Sequence, residues 1–245
     1  MQLAQPTQGV HPGESGSSSL EYALQGHPTV PRDRGVFLGQ TRRMHPDVNG
    51  FISAAVYDGR LTVAPVATRR RIALEKNAKR LDRGTGVVVL EVPHEGNTQD
   101  SVEEVEVIGQ LVGELERSTV VNGKQPRPFN RARDVLIVAP YNKQVRRLRE
   151  ALPAAVQVGS VDKFQGLEAP VVIVSMCSST LEDAPRGASF LLSPNRLNVA
   201  ISRAQCLAVV VASPGLWRTR CTTIAEMELL NLFCRLRAYA RGERG

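Results

Sequence analysis

Four stretches of this chain are apolar on both sides of any strand they could form: 86–92 (GVVVLEV), 135–139 (VLIVA), 171–176 (VVIVSM) and 207–212 (LAVVVA). A strand with one face in water alternates apolar and polar residues, and these runs do not. Each therefore reads as a strand of a parallel sheet covered by helices on both faces. The segments between them carry helical spacing. Pro46 and Asp47 suit a first helical turn, and Met44, Val48, Phe51, Ile52, Ala55 and Val56 follow before Asp58-Gly59 stops the run. Ser101 and Glu104 stand at capping-box separation ahead of Val102, Val105, Ile108, Val112 and Leu115. Val145, Leu148 and Leu152, then Leu197, Ala200, Ile201 and Ala204, then a last helix over Ile224–Tyr239 complete the set. Val36–Leu38 reads as one further short strand. The expected fold is α/β, a doubly wound, mainly parallel sheet with helices on both faces.

The 245 residues can bury a substantial core. Residues 1–35, broken by Pro6, Gly9, Pro12, Gly13 and Gly16, read as a flexible or extended arm with a short helix near Leu20–Leu24. Residues 36–245 read as one domain. No run is long and apolar enough to span a membrane and no basic-then-apolar leader opens the chain, so a soluble, cytoplasmic protein is expected. Cys177, Cys206, Cys221 and Cys234 lack metal-site spacing and read as reduced core residues. The net charge of +7 favours a polyanionic partner such as nucleic acid. Residues 69–83 concentrate Arg69, Arg70, Arg71, Lys76, Lys79, Arg80 and Arg83, either as a solvated basic loop or as a phosphate-contacting arm.

In parallel sheets, ligands meet the loops at the carboxyl ends of strands, and three loops here carry unusual polar content. Pro140-Tyr141-Asn142-Lys143-Gln144 begins a helix whose free N–H groups and neighbouring aromatic suit a nucleic-acid backbone, unless it is simply a capped helix with a solvated face. In Val158–Glu168, the polar Gln165, Gly166 and Glu168 between two strands point either to a ligand or to a tight turn. Arg196 and Arg203, seven apart on one helix, share a face that could neutralise a phosphate, or else are surface charges.

Taken in order with Arg42-Arg43-Met44-His45-Pro46, these loops resemble the second, C-terminal RecA-like motor domain of superfamily 1 helicases related to the nonsense-mediated-decay helicase and the replication helicase-nuclease group. Arg43–Pro46 resembles the family's Y-R-M-H-P, and Ala139-Pro140-Tyr141 with Gln144 its P-Y-x-x-Q. Val161-Asp162 through Glu168 resembles V-D-x-F-Q-G-x-E, and Arg196–Ala204 resembles R-L-N-V-A-x-T-R-A. The likeness extends to bacterial proteins that join a RecB-like nuclease to such a helicase.

This resemblance implies an ATP site, with Mg2+, shared with a preceding RecA-like domain. In it Arg203 is the arginine finger, Arg43 a second contact to the terminal phosphate, and Glu168 the ribose ligand. Gln165 and Gly166 form the supporting turn, and Gln2, Arg42 and Arg196 complete the nucleotide contacts. Single-stranded DNA or RNA is implied on Pro140, Tyr141, Asn142, Gln144, Ser160 and Val161. Arg42 departs from the family's aromatic residue there, and Ser202 from its commoner Thr. The chain contains no G-x-x-x-x-G-K-[ST] loop and no D-E pair for magnesium, so it is expected to supply half of an ATP site and to be inactive alone. A stand-alone nucleic-acid-binding or regulatory module without ATPase chemistry is the alternative.

Overall fold

Strands made of consecutive Val, Ile and Leu need two covered faces, and the computed structural model of the protein provides them. Residues 24, 26, 27, 29–123 and 125–243 are described. Most of the expected arm, including Gln2 and most of the short helix near Leu20–Leu24, lies outside them.

The central sheet contains β4 (Gly86–Glu91), β7 (Val135–Val138), β8 (Gln157–Gly159), β9 (Ala169–Ser175) and β10 (Ala204–Ala212). All pairs are parallel, in the order β4-β10-β9-β7-β8. One row of residues crosses the whole sheet: Val88, Val209, Ile173, Ile137 and Val158. That row faces α2 (Val102–Leu115) and α3 (Asn142–Ala151) in one core. The next row, with Val138, Val174 and Val210, faces the second core. There it meets α1 (Pro46–Val56), α4 (Gly187–Leu191), α5 (Pro194–Ile201) and α6 (Ile224–Ala240). The doubly wound arrangement is thus present, and each fully buried Val, Ile or Leu stabilises it by about 1.5–3 kcal/mol.

Helix starts follow the local chemistry. The His45 ring accepts from the Asp47 N–H, ahead of Pro46 in the first turn of α1. Thr223 and Glu226 form a reciprocal capping box on α6. Ser101 caps α2 by accepting from the Glu104 N–H at 3.1 Å, but the reciprocal half of that box is absent. The Glu104 side chain instead turns into the core.

Three expectations need correction. Val36–Leu38 forms no strand: Val36 and Leu38 are 86% and 82% exposed, and only Gln40–Thr41 (β1) pairs with Thr62–Val63 (β2). Val102 stands outside the apolar stripe of α2, while Val107 and Leu111 are inside it. The basic stretch 69–83 is anchored rather than a free loop. Arg70–Ala73 is β3, in a small antiparallel sheet with β5 (Thr119–Asn122) and β6 (Arg127–Pro128). The backbone N–H groups of Lys79, Arg80 and Leu81 then donate to the buried Glu114 carboxylate at 2.8, 3.1 and 3.0 Å. Among the described residues, no helix is long and apolar enough to cross a membrane.

Candidate functional site

The expected residues gather at opposite ends of the sheet. Glu168 immediately precedes β9 and Arg203 immediately precedes β10, and the two strands pair there through Ala169 and Ala204. The Ala169 N–H donates to the Arg203 carbonyl at 3.1 Å. Arg43 arrives just ahead of α1, held by the His45 N–H donating to the Gln205 carbonyl at 2.9 Å. These residues therefore meet at the amino ends of β9 and β10, which corrects the expectation that all three polar loops lie at carboxyl ends. A cavity of about 590 Å³ opens there, lined among others by Arg42, Arg43, Arg70, Glu168, Asn198 and Arg203.

Its geometry is tight. Arg43 Nε donates to Glu168 Oε2 at 2.5 Å, and Arg43 Nη1 to the Ser202 carbonyl at 3.2 Å. Gln205 Nε2 donates to Glu168 Oε1 at 2.8 Å. Arg70 Nη1, reaching from β3, donates to the Arg43 carbonyl at 2.7 Å, so one arginine of the basic stretch does belong to this site. Arg203 Nε donates to the Val199 carbonyl at 3.2 Å. Burial lowers the Arg203 pKa and the nearby Arg43 charge lowers it further, against opposition from Glu168 and Tyr57. Burial pushes the Glu168 carboxyl up, but the hydrogen bonds from Arg43 and Gln205 more than reverse this and hold it below its usual range. Asn198 is buried and its Oδ1 has no hydrogen-bond partner. Arg42 is exposed and forms no ion pair among the described residues. The arrangement is a cluster of guanidinium groups around one carboxylate, with donors suited to an anion.

Gln165 and Gly166 do not enter the cavity. The 3₁₀ turn Asp162–Phe164 sinks Phe164 into the core and leaves Gln165, Gly166 and Glu168 facing solvent. Gly166 has φ +92°, which accounts for glycine there without a ligand. The desolvation argument for a ligand at this loop therefore does not hold.

A second cavity, of about 380 Å³, lies at the carboxyl ends of β7 and β8. It is lined among others by Pro140, Tyr141, Asn142, Ser160, Phe190 and Arg196. Arg196 is thus separated from Arg203. Helix α5 ends at Ile201, and seven residues rise roughly 10 Å along a helix, so the two arginines serve opposite ends of the sheet rather than one phosphate. Arg196 contacts Asp162 at 3.4 Å. Tyr141 is buried against Phe190 with ring centroids 5.4 Å apart, and Val161 is buried as well.

Gln144 is another correction. It is fully buried, accepts from the Ser101 N–H at 2.9 Å, and donates to Ser175 Oγ at 2.9 Å. No group remains for a nucleic acid, so Gln144 joins α3 to α2 and β9.

Sequence reasoning missed the polar network beneath this second cavity. Ser175 Oγ, accepting from Gln144, donates to Glu104 Oε2 at 2.6 Å, and the Cys177 N–H donates to both Glu104 oxygens at 3.1 Å. His94 Nε2 lies 3.2 Å from Glu104 Oε1, and His94 Nδ1 lies 2.8 Å from Ser179 Oγ. Cys177 has φ +52°, a left-handed conformation unfavourable for a side-chain-bearing residue, and its N–H is held by Glu104. The side chains of Glu104 and His94 are wholly enclosed, so this is a satisfied polar core rather than a reaction centre. The only available signal was a Glu at capping-box spacing. Cys177 and Cys206 are buried and free, as expected, whereas Cys221 and Cys234 are half-buried. Among the described residues, no group of three or more His, Cys, Asp or Glu side chains is placed to hold a metal ion.

Known proteins resemble this chain in sequence. A family model described as AAA domain matches residues 17–215. The DNA polymerase alpha-associated DNA helicase A of Saccharomyces cerevisiae is 30% identical over 194 residues, covering 74% of this chain and 28% of that protein. The Regulator of nonsense transcripts 1 homolog of Drosophila melanogaster is 29% identical over 187 residues, covering 70% of this chain and 15% of that protein. The human RNA helicase Mov10l1 is 38% identical over 90 residues, 34% of this chain and 7% of that protein. The chain thus spans less than a third of the length of these curated relatives. A solved C-terminal domain of a possible DNA helicase from Lactobacillus plantarum aligns at 15% identity with a TM-score of 0.41, over 72% of this chain and 89% of that one.

Proposed function

The chain belongs to the AAA domain family as a helicase-type domain of superfamily 1, and from that premise we propose that it is the C-terminal motor domain of an ATP-dependent DNA or RNA helicase. Its amino-end cavity completes an ATP site whose phosphate-binding loop and Mg2+ carboxylates belong to a preceding RecA-like domain. A nuclease domain joined upstream is compatible with this arrangement.

The observation that carries the reading is the convergence of Arg43, Arg203 and Glu168 on one cavity from three separate segments. The residues fit a nucleotide. Arg43, Arg70 and Arg203 line one cavity with a single carboxylate, Glu168, an excess of positive charge that suits a phosphate, and the unpartnered Asn198 oxygen can accept from a hydroxyl or amino group. Bound ATP supplies the phosphoanhydride that is cleaved. Arg203 and Arg43 stabilise charge on the terminal phosphate, and positioning with charge stabilisation does most of the work in phosphoryl transfer. Glu168 holds the ribose hydroxyls once Arg43 has turned from it to phosphate, with Gln205 keeping the carboxylate in place. Arg42, exposed at the cavity's edge, lays its planar guanidinium against the base. At the other end, Pro140, Asn142 and Ser160 grip single-stranded nucleic acid while Tyr141 forms part of the cavity wall and Val161 packs in the core behind it.

The test is phosphate release from ATP with single-stranded nucleic acid present. The 245-residue chain alone is expected to show none, and a polypeptide joining it to its preceding motor domain is expected to turn over. Turnover by the isolated chain that disappears on Arg203→Ala overturns the half-site reading. A joined polypeptide that binds the strand but never hydrolyses ATP favours a regulatory module instead.

A further inference from the structure

We propose that Arg186 and Arg196, braced on the ring of Phe190, form a phosphodiester seat for single-stranded nucleic acid at the carboxyl end of the sheet. The proposal rests on the strand-gripping reading above and adds two residues, Arg186 and Phe190, that lie outside the motifs quoted for it.

The ring is a fixed support. Phe190 is buried in α4 and packs against Tyr141. The Arg186 guanidinium carbon lies 3.7 Å from its centroid and that of Arg196 lies 4.3 Å from it. Stacking on a π-face orients a guanidinium without consuming its N–H donors, which lie in its plane and stay available for the oxygens of a phosphate.

The charges there are poorly compensated. Among the described residues no carboxylate pairs with Arg186, and the one beside Arg196, Asp162, is exposed and reaches a single nitrogen at 3.4 Å. Lys143 does not add a free charge, because Asp100 holds it at 2.7 Å and also holds Arg147. Both guanidinium carbons lie within 4.3 Å of one centroid, so two cations share one ring while a single exposed carboxylate, Asp162, pairs with one of them. An anion beside the ring is attracted by both charges.

The start of α3 points to the same chemistry independently. Its N-cap, Tyr141, makes no side-chain capping bond, so the first-turn N–H groups beside Asn142 have no cap, and Asn142 lines the same cavity as both arginines. Uncapped N–H groups and two forked cations together match a phosphate better than a carboxylate side chain, which needs only one fork.

The experiment follows a fluorescent oligothymidine by anisotropy as it binds the 245-residue chain across a series of salt concentrations. For wild type, Arg186→Gln, Arg196→Gln and the double variant, the slope of log affinity against log salt is expected to fall by about 0.7 for each arginine removed. Affinity at low salt is expected to weaken on the order of tenfold per arginine. Phe190→Leu keeps both charges but removes the brace, so it should weaken binding with the slope preserved. Circular dichroism melts establish that each variant is folded, and should Phe190→Leu not fold, the exposed Arg186→Gln decides. An unchanged slope and affinity in Arg186→Gln overturns the seat while leaving strand binding by this domain intact. Wild-type binding that ignores salt removes both the seat and the strand-gripping reading. Two further arms use a fluorescent adenine nucleotide and an acidic peptide of matching charge. Arg186-dependent binding of either, as tight as that of the oligonucleotide, overturns the assignment to a nucleic-acid strand.

Discussion

The two ends of the central sheet use arginine in opposite ways. At the amino ends of β9 and β10, Arg43 and Arg203 are fixed by hydrogen bonds to Glu168 and to the carbonyls of Ser202 and Val199. At the carboxyl ends of β7 and β8, Arg186 and Arg196 are fixed by the face of an aromatic ring. A hydrogen-bonded guanidinium has a defined direction but must exchange partners to receive a ligand, whereas a stacked one keeps its donors free and can slide. The first suits a site that must align a charge to within a fraction of an ångström. The second suits a track along which a polymer moves. The backing differs as well, because the carboxyl end rests on the enclosed Glu104 network and the amino end opens to water around Glu168.

The largest effect that would sharpen this contrast is on turnover. In the joined helicase polypeptide, Arg203→Ala is expected to lower strand-stimulated ATP hydrolysis by roughly 10³–10⁵ and to leave oligonucleotide affinity within about twofold. Phosphate-release kinetics and anisotropy on one preparation check both. Retention of more than a tenth of wild-type turnover, or an equal loss in both assays, would merge the two ends into one site.

Next comes stability at the carboxyl end. Glu104→Ala strands the Cys177 N–H and the Ser175 hydroxyl in an enclosed space and leaves a cavity. A loss of about 3–5 kcal/mol is expected from urea unfolding, with the amino-end cavity of the folded fraction unaffected. A change under about 1 kcal/mol would show that the network is dispensable.

At the edge of the amino-end cavity, Arg42→Ala is expected to weaken nucleotide binding by roughly three- to thirtyfold, while Arg42→Tyr retains it, in line with about 0.5–2 kcal/mol for a planar cation on a π-face. Titration calorimetry of the joined polypeptide measures this. If Ala binds ATP like wild type and loses strand affinity instead, Arg42 belongs with the other end.

The smallest effect concerns Glu168, whose carboxyl is held below its usual range by Arg43 and Gln205 against the opposing influence of burial. Its contribution to stability is complete above the unfolded carboxyl value of about 4.3 and disappears as pH falls through the lower folded value. The group is largely exposed, so Glu168→Gln is expected to cost under about 1 kcal/mol at neutral pH. The gap from wild type should close on acidification. A gap that widens in acid would reverse the assigned direction.

How much of this could be read in advance depended on where the chemistry was written. The four strands rich in Val, Ile and Leu were legible because such short, β-branched apolar runs favour a strand covered on both faces over a buried helix. Strand β8 was not, since Gln157–Gly159 offers one apolar residue between a polar one and a glycine. The antiparallel sheet was hidden for a similar reason: Arg70–Ala73 and Arg127–Pro128 look like solvated basic sequence, and only pairing with Thr119–Asn122 orders them. The meeting of Arg43, Glu168 and Arg203 was legible through motif order. The separation of Arg196 from Arg203 follows from axial rise rather than from helical phase, and phase alone had placed them together. Glu104 and Gln144 were misjudged because local spacing shows where a side chain starts and tertiary burial decides where it ends.

The Arg43–Glu168 ion pair carries one more consequence. Each member is the other's occupant, so the site holds an internal competitor at fixed, effectively high concentration. A ligand that needs both groups binds only the fraction of molecules in which the pair is open, and its observed affinity is reduced by that fraction. As the ligand departs, the same pair re-forms and competes with its return. If the proposed nucleotide occupies this site, that competition favours its release, which is the property a cycling motor requires of its spent nucleotide.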